Sequence, residues 1–274
     1  MGADFTPPTD RVVAGSRLTG RVAVVSGAGS AGGAGVGASI AYLFALQGAR
    51  VGVVDASGER AERTVRTIAA AGGEAMALVA DVRNKDACEA AFSEVRGSYG
   101  PLSVLVNSAA IVRRGDVATV SDADWRETLD TVLTGALILT RSAAADLQET
   151  RGAVVNISSI AATRGFGAVA YAAAKGGLEA LTRDAAMTLG RSGVRVNAIA
   201  LGPLSTPMVD AIPEPRRSAR REHAMLPSEG DAWDAAFAAL FLASEEARWI
   251  TAQTLRVDAG VSVAGSARIR SEDN

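Results

Sequence analysis

Tyr171 and Lys175 are the residues whose types and spacing best suit proton transfer, in the run Ala170-Tyr171-Ala172-Ala173-Ala174-Lys175-Gly176. On a helix, side chains four residues apart lie on one face, so a phenol and an ammonium can share a pocket. A phenol titrates at about 10, and acid–base work near neutrality needs that value lowered by about 3 units, or roughly 4 kcal/mol. A positive charge about 4 Å away supplies on the order of 4 kcal/mol at an effective dielectric of about 20. The magnitudes match. The same spacing also arises where a tyrosine packs under a snorkelling lysine, so the pair gains meaning only from the elements that position it.

Those elements alternate. Val22-Ala23-Val24-Val25 is a short apolar run of the kind a central parallel strand requires when buried on both faces. It leads into Gly27-Ala28-Gly29-Ser30-Ala31-Gly32-Gly33-Ala34-Gly35-Val36-Gly37 and then into a helical pattern from Ala38 to Leu46. Strand, glycine-rich loop and helix together present bare N–H groups and a helix N-terminus to a phosphate. The next strand, Arg50 to Asp55, ends on an acid that can accept both hydroxyls of an adenosine ribose and would repel a 2'-phosphate, which favours NAD over NADP.

Further strands are expected at Ala75–Val79, Leu102–Asn107, Ala153–Ser158, Val194–Ile199 and Thr254–Val257. Helices are expected at about Glu59–Ala71 and Lys85–Ser98, over a long stretch Asp122–Glu149, around Tyr171, and at Asp231–Ala243. Strands alternating with helices over this length predict an α/β fold: one doubly wound parallel sheet of Rossmann type, in a single domain. Residues 1–19 read as an irregular arm, 20–264 as the domain and 265–274 as a polar tail.

Lys and Arg number 28 against 30 Asp and Glu in 274 residues, so charge makes no case for nucleic acid or an anionic membrane. With one His and one Cys, Cys88, neither an internal disulfide nor a structural zinc site is expected. The polar, proline-broken opening is not a signal peptide, and no apolar run reaches membrane-spanning length. A cytoplasmic protein is expected.

In their order along the chain, the glycine loop, Asp81-Val82, Asn107-Ser108-Ala109-Ala110, Asn156-Ile157-Ser158-Ser159, Tyr171-x-x-x-Lys175, Arg195-Val196-Asn197, Gly202–Thr206 and Thr251–Gly260 resemble the short-chain dehydrogenase/reductase family in its single-domain form. The resemblance runs from about Gly20 to Ala264. It implies that Tyr171 exchanges a proton with a substrate oxygen while hydride moves to or from a nicotinamide, and that Lys175 lowers its pKa and binds the nicotinamide ribose. It implies a serine that holds the substrate oxygen. Motif position selects Ser159; counting back from the tyrosine selects Ser158. Strand alternation sends the two to opposite faces, and we prefer Ser159.

For the cofactor, NAD, the resemblance places Gly27, Gly35, Val36 and Gly37 around the pyrophosphate, Asp55 at the adenosine ribose, and Asp81 with Val82 at the adenine. It puts Asn107 under the cofactor and Thr206 at the carboxamide. It implies a small alcohol or ketone as substrate and a homotetramer. Asn197 reads equally well as a strand-end structural amide. Within this resemblance stand two alternatives to an alcohol dehydrogenase or carbonyl reductase: a cofactor-binding sensor or structural protein without turnover, and a reductase resembling 3-oxoacyl-carrier-protein reductases.

The chain departs from the family pattern chiefly in two places, with smaller changes at Ala110, Leu201, Ala252 and Ala259, where Gly or Pro is usual. Seven residues separate Gly27 from Gly35 where three are usual, which predicts a widened phosphate loop. Val132 stands where many members have a catalytic asparagine, so a proton relay from the lysine would run through a backbone carbonyl, another side chain such as Thr128, or not at all. The segment Leu204–Pro227, with Met208, Met225 and Leu226, is expected to close over the substrate. Its Arg216, Arg217, Arg220 and Arg221 read as a solvated helix face, and His223 as a surface or packing residue.

Overall fold

A computed structural model of the chain describes residues 5–207 and 224–263. Met208, Arg216, Arg217, Arg220, Arg221 and His223 lie outside the described residues, as does the tail expected from 265 onwards.

Seven strands form one parallel sheet in the order β3-β2-β1-β4-β5-β6-β7. The strands are β1 Val22–Ser26, β2 Arg50–Asp55, β3 Glu74–Val79, β4 Val104–Asn107, β5 Ala153–Ser159, β6 Arg195–Leu201 and β7 Thr254–Val257. Every residue of β1, β4 and β5 is buried. This is why those runs are apolar throughout rather than alternating: helices cover both faces.

One face carries α1 (Val36–Leu46) and α7 (Ala232–Ala243), whose Phe44, Leu43 and Leu240 pack with Val25, Val106 and Ile199. The other carries α3 (Lys85–Tyr99) and α5 (Gly135–Thr150), where Phe92, Leu139 and Leu147 meet Val24, Leu105 and Val154. The remaining α-helices among the described residues are α2 (Gly58–Ala70), α4 (Asp122–Leu129) and α6 (Val169–Leu189). Side chains of Ser57, Asn84, Ser121 and Asp231 cap α2, α3, α4 and α7 by accepting backbone N–H groups. Helix α1 has no such cap, for the residue at its N-cap is Gly35, which has no side chain.

The long helix expected over Asp122–Glu149 is interrupted. Residues Asp130–Thr134 form a π-helical turn, in which the Gly135 N–H reaches back five residues to Asp130 O. Gly135 lies close to Val82, where an added Cβ would come within 2.7 Å of the valine side chain. The wide turn re-aims the chain just before this close approach, as π turns do within helices.

Residues 5–19 contain turns but no helix or strand. They nevertheless lie on the core: Phe5, Val12 and Leu18 are buried, and Phe5 packs edge-on against Tyr42 and beside Trp233.

Candidate active site

The order of the strands reverses direction at β1 and β4, leaving a crevice beyond their carboxyl ends where ligands of open α/β sheets bind. The glycine loop leaves β1 at this point. Gly27 has φ +62°, and an added Cβ would lie 2.6 Å from Ala109 Cα. A Cβ on Gly37 would sit 2.2 Å from Gly27 O, so the first turn of α1 packs against the loop backbone itself. At Gly35 a Cβ would meet nothing within 4 Å. The start of α1 therefore offers uncapped N–H groups, with no acid in its first turn, to open space.

The lengthened part of the loop folds onto α2 and β2. Gly29 N donates to Asp55 Oδ2 at 3.0 Å, and Ser30 N donates to Thr64 Oγ1 at 3.0 Å. The Thr64 hydroxyl donates in turn to Ala28 O at 2.7 Å. Asp55 also accepts the Ser57 N–H through its other oxygen at 3.0 Å. Thr64 had no signal in the sequence beyond its place on a helix face. These residues fit a dinucleotide: a bare helix N-terminus for the pyrophosphate and a carboxylate at the end of β2.

Asp81 and Val82 follow β3. The Asp81 carboxylate receives the Arg83 guanidinium, with Nη2 to Oδ2 at 2.6 Å, and this hydrogen bond holds its pKa below the ordinary carboxylate value. Val82 is buried. The Asn107 amide lies inside the sheet and helix layers, donating to Asn156 Oδ1 at 2.8 Å and Thr140 Oγ1 at 3.2 Å. Asn156 passes the chain on to Thr182 Oγ1 at 2.8 Å. Asn107 Oδ1 is buried without a partner among the described residues. Thr206 is half-buried, next to Ser205, whose N–H pairs with Gly230 O. Asn197 binds Ile250 O and the Gln253 N–H, tying β6 to the approach to β7.

Strand β5 separates the two serines. The Ser158 hydroxyl donates to buried Glu179 Oε1 at 2.9 Å, behind the strand. Ser159 faces the other way, accepts the Ala161 N–H at 3.2 Å, and lies near enough to Tyr171 for its hydroxyl to favour the phenolate. Burial raises the Tyr171 pKa, and Ser159 works against that rise. Lys175 is 2 % exposed and donates Nζ to Ile157 O at 2.5 Å. Its Nζ lies 5.4 Å from the centre of the Tyr171 ring. Burial pulls its pKa down to about 7. The fixed full charge assumed from the spacing is thus a lysine that titrates near neutrality in the protein without ligand.

Two neighbours of this group were not anticipated. Phe166 lies with its ring centre 5.7 Å from that of Tyr171, and its only sequence signal is an isolated aromatic between two glycines. Glu179 had none. Thr128, the expected relay alternative, is fully buried and donates to Asp124 O at 2.7 Å, while Val132 packs with Ala136, Ala174 and Leu178. A cavity of about 480 Å³ bounded by Leu204, Leu226, Gly230, Arg256 and Asp258 does not include Ser159, Tyr171 or Lys175.

Residues 29–262 match a family model described as enoyl-(acyl carrier protein) reductase. The chain is 34 % identical to the BbsD subunit of (2S)-[(R)-hydroxy(phenyl)methyl]succinyl-CoA dehydrogenase from Thauera aromatica, over 90 % of this chain and 98 % of that one. It is 35 % identical to the 3-oxoacyl-[acyl-carrier-protein] reductase FabG of Staphylococcus aureus, over 83 % and 94 %. A crystal structure from Burkholderia xenovorans, described as a short-chain dehydrogenase/reductase, superposes with a TM-score of 0.87 at 35 % identity, covering 90 % of this chain and 98 % of that one. With the uncapped glycine loop, the doubly wound sheet and the Ser-Tyr-Lys cluster already in place, these likenesses establish that the chain belongs to the short-chain dehydrogenase/reductase family of oxidoreductases.

Proposed function

We propose that the protein interconverts a secondary alcohol and a ketone by hydride transfer, with NAD(H) as the nicotinamide cofactor. The observation that carries this reading is the grouping of Ser159 and Tyr171 with buried Lys175, whose Nζ lies 5.4 Å from the centre of the Tyr171 ring, at the carboxyl end of β5 and beside the crevice into which the glycine loop opens. When bound, the cofactor supplies or accepts the hydride.

The protein's own groups do the rest. Ser159 orients the substrate oxygen, and Tyr171 Oη gives that oxygen a proton during reduction or takes one during oxidation. Lys175, held by Ile157 O, stands behind the phenol, and a charge on it favours the phenolate. Gly27, Gly35, Val36 and Gly37 would surround the pyrophosphate; Asp81 and Val82 would border the adenine, Asn107 would lie beneath the cofactor, and Thr206 would face the carboxamide. Asp55 supports NAD over NADP, because a carboxylate at the end of β2 would repel a 2'-phosphate.

Val132 supplies no side-chain hydrogen bond. We assign the proton relay to a backbone carbonyl of the π-helical turn, since Thr128 is committed within its own helix. No described helix is long and apolar enough to cross a membrane, which is consistent with a cytoplasmic enzyme. The homotetramer is likewise part of this reading, and light scattering of the purified protein checks it.

The decisive experiment follows NADH absorbance over a panel of secondary alcohols and ketones, repeated with NADPH and with Tyr171→Phe. Turnover is expected to favour NADH and to fall by about 10² to 10⁴-fold in Tyr171→Phe, while NADH binding by fluorescence stays intact. Binding without turnover on any substrate would instead support a sensor. A marked preference for carrier-bound 3-oxoacyl chains would support the FabG-like alternative.

A further inference from the structure

Two arginines lie on separate segments that border the run leading into Tyr171. Arg164 lies in the connection from β5 to α6, two residues before Phe166, the ring that rests against Tyr171. Its Nη1 donates to Val261 O at 3.0 Å, which steadies the guanidinium against the segment after β7, and its other N–H donors have no partner among the described residues. Arg114 precedes Gly115, which forms a bridge with Ala168 and accepts the Val169 N–H at 3.0 Å. Its backbone therefore borders the same short run, Phe166–Val169, that leads into Tyr171.

Both arginines are exposed, and neither forms an ion pair with a described residue. The contrast with Arg113 is local: that side chain is paired with Asp124 and Glu127. The one acid in the stretch, Asp116, is occupied by the Thr119 hydroxyl and by the N–H groups of Ala118 and Thr119. Two apolar side chains on these segments are open to solvent. Phe166 is partly exposed, and exposed Met225 joins the segment after β7 by donating its N–H to Ala259 O.

We propose that Arg164, assisted by Arg114, selects substrates that carry an anionic group remote from the reacting carbon. A planar guanidinium fork held in place by Val261 O suits a carboxylate or a phosphate. The anion is either the substrate's own carboxylate or a phosphate of a thioester carrier. This rests on the alcohol–ketone reading given above.

Four probes share one 3-oxobutanoyl group: the free acid, its methyl ester, its N-acetylcysteamine thioester and its coenzyme A thioester. Reduction of each by wild type, Arg164→Gln, Arg164→Lys and Arg114→Gln is compared through kcat/KM. The wild type is expected to favour at least one anionic probe over its neutral counterpart by about tenfold or more. Arg164→Gln should lower kcat/KM for that probe by about 10 to 100-fold, mainly through KM, with the neutral probe changed by less than about twofold. Arg164→Lys should recover part of the loss, and Arg114→Gln should show a smaller loss of the same selectivity.

Loss confined to the free acid identifies a substrate carboxylate; loss confined to the coenzyme A thioester identifies a carrier phosphate. Equal loss on charged and neutral probes would show Arg164 to be only a tie to Val261 and overturn the assignment, as would absence of any preference in the wild type. If the wild type reduces none of the four, the assignment falls. The wider alcohol and ketone panel then tells whether the parent reading falls with it.

Discussion

Lys175 has the largest effect on how the site responds to pH. It is enclosed, its Nζ satisfied by Ile157 O, and burial lowers its pKa from the ordinary 10.5 to about 7. The unfolded chain keeps this proton up to about pH 10.5, whereas the folded protein releases it near 7. Between those values the unfolded chain binds more protons, so the contribution of Lys175 to stability rises with pH; below 7 both states are protonated and the folded state carries the whole cost. The interval, at about 1.4 kcal/mol for each pH unit, sets an upper figure of about 5 kcal/mol. Lys175→Met is therefore expected to unfold at higher denaturant than wild type at pH 6.5, with the gap narrowing steadily toward pH 10. A gap that does not change with pH would contradict this. The same burial raises the pKa of Tyr171, so the phenol depends on Ser159 and on whatever charge Lys175 retains to be an acid–base group near neutrality. Val132 makes the complementary point. It sits in an apolar cluster, and Val132→Asn should lose about 1 to 3 kcal/mol in chemical denaturation without raising kcat, because the amide would be buried among Ala136, Ala174 and Leu178.

The glycine loop and the start of α1 act together as one element, and two of its glycines are open to opposite tests. Gly37 is needed for packing: an alanine Cβ there would stand 2.2 Å from Gly27 O, so Gly37→Ala should displace the loop from α1 and lower both stability and NADH affinity. Gly35 has φ −72° and open space around it, so Gly35→Ala should leave thermal stability within about 0.5 kcal/mol of wild type. It should still weaken NADH binding by about tenfold, because the added methyl projects into the space before the helix N-terminus. Fluorescence titration and thermal melts on the two variants separate these effects. The π-helical turn is the element that no periodicity announced. A hydrophobic pattern continues through it, and the wide turn lies directly before Gly135, which packs close to Val82, a residue far away in sequence.

At the scale of the whole molecule, the arm before β1 is built into the core. Phe5 completes an aromatic group with Tyr42 of α1 and Trp233 of α7, and Arg11 pairs with Asp231 and Asp234 at the start of α7. Asp231 forms a bridge with Ser205, so the arm buttresses the segment that holds Thr206. Phe5→Ala is expected to cost about 3 kcal/mol by denaturant melt, whereas Arg11→Ala, whose pairs are partly solvated, should cost less than about 1 kcal/mol. If both changes were silent, the arm would be an ornament on the fold.

The order of strands and helices, the glycine-rich loop between β1 and α1, and the Tyr171–Lys175 pair were all legible in the residues, because buried parallel strands must be apolar throughout and a tight strand-to-helix loop favours glycines. The choice between Ser158 and Ser159 was only half legible. Alternation said that they part, and the fold showed which one meets Tyr171, because Glu179 takes the other from behind the strand. The docking of the long loop on Thr64, the commitment of Asn107 to Asn156, and the cover of Phe166 over Tyr171 could not be read beforehand. Each joins residues separated by a crossover or a loop, and nothing in local spacing encodes such distances. The sequence by itself therefore determined which chemical groups the site holds and which strand ends carry them. Only the tertiary structure decided their electrostatic state, because the pKa values of Tyr171 and Lys175 follow from burial, and burial is a property of the packed whole.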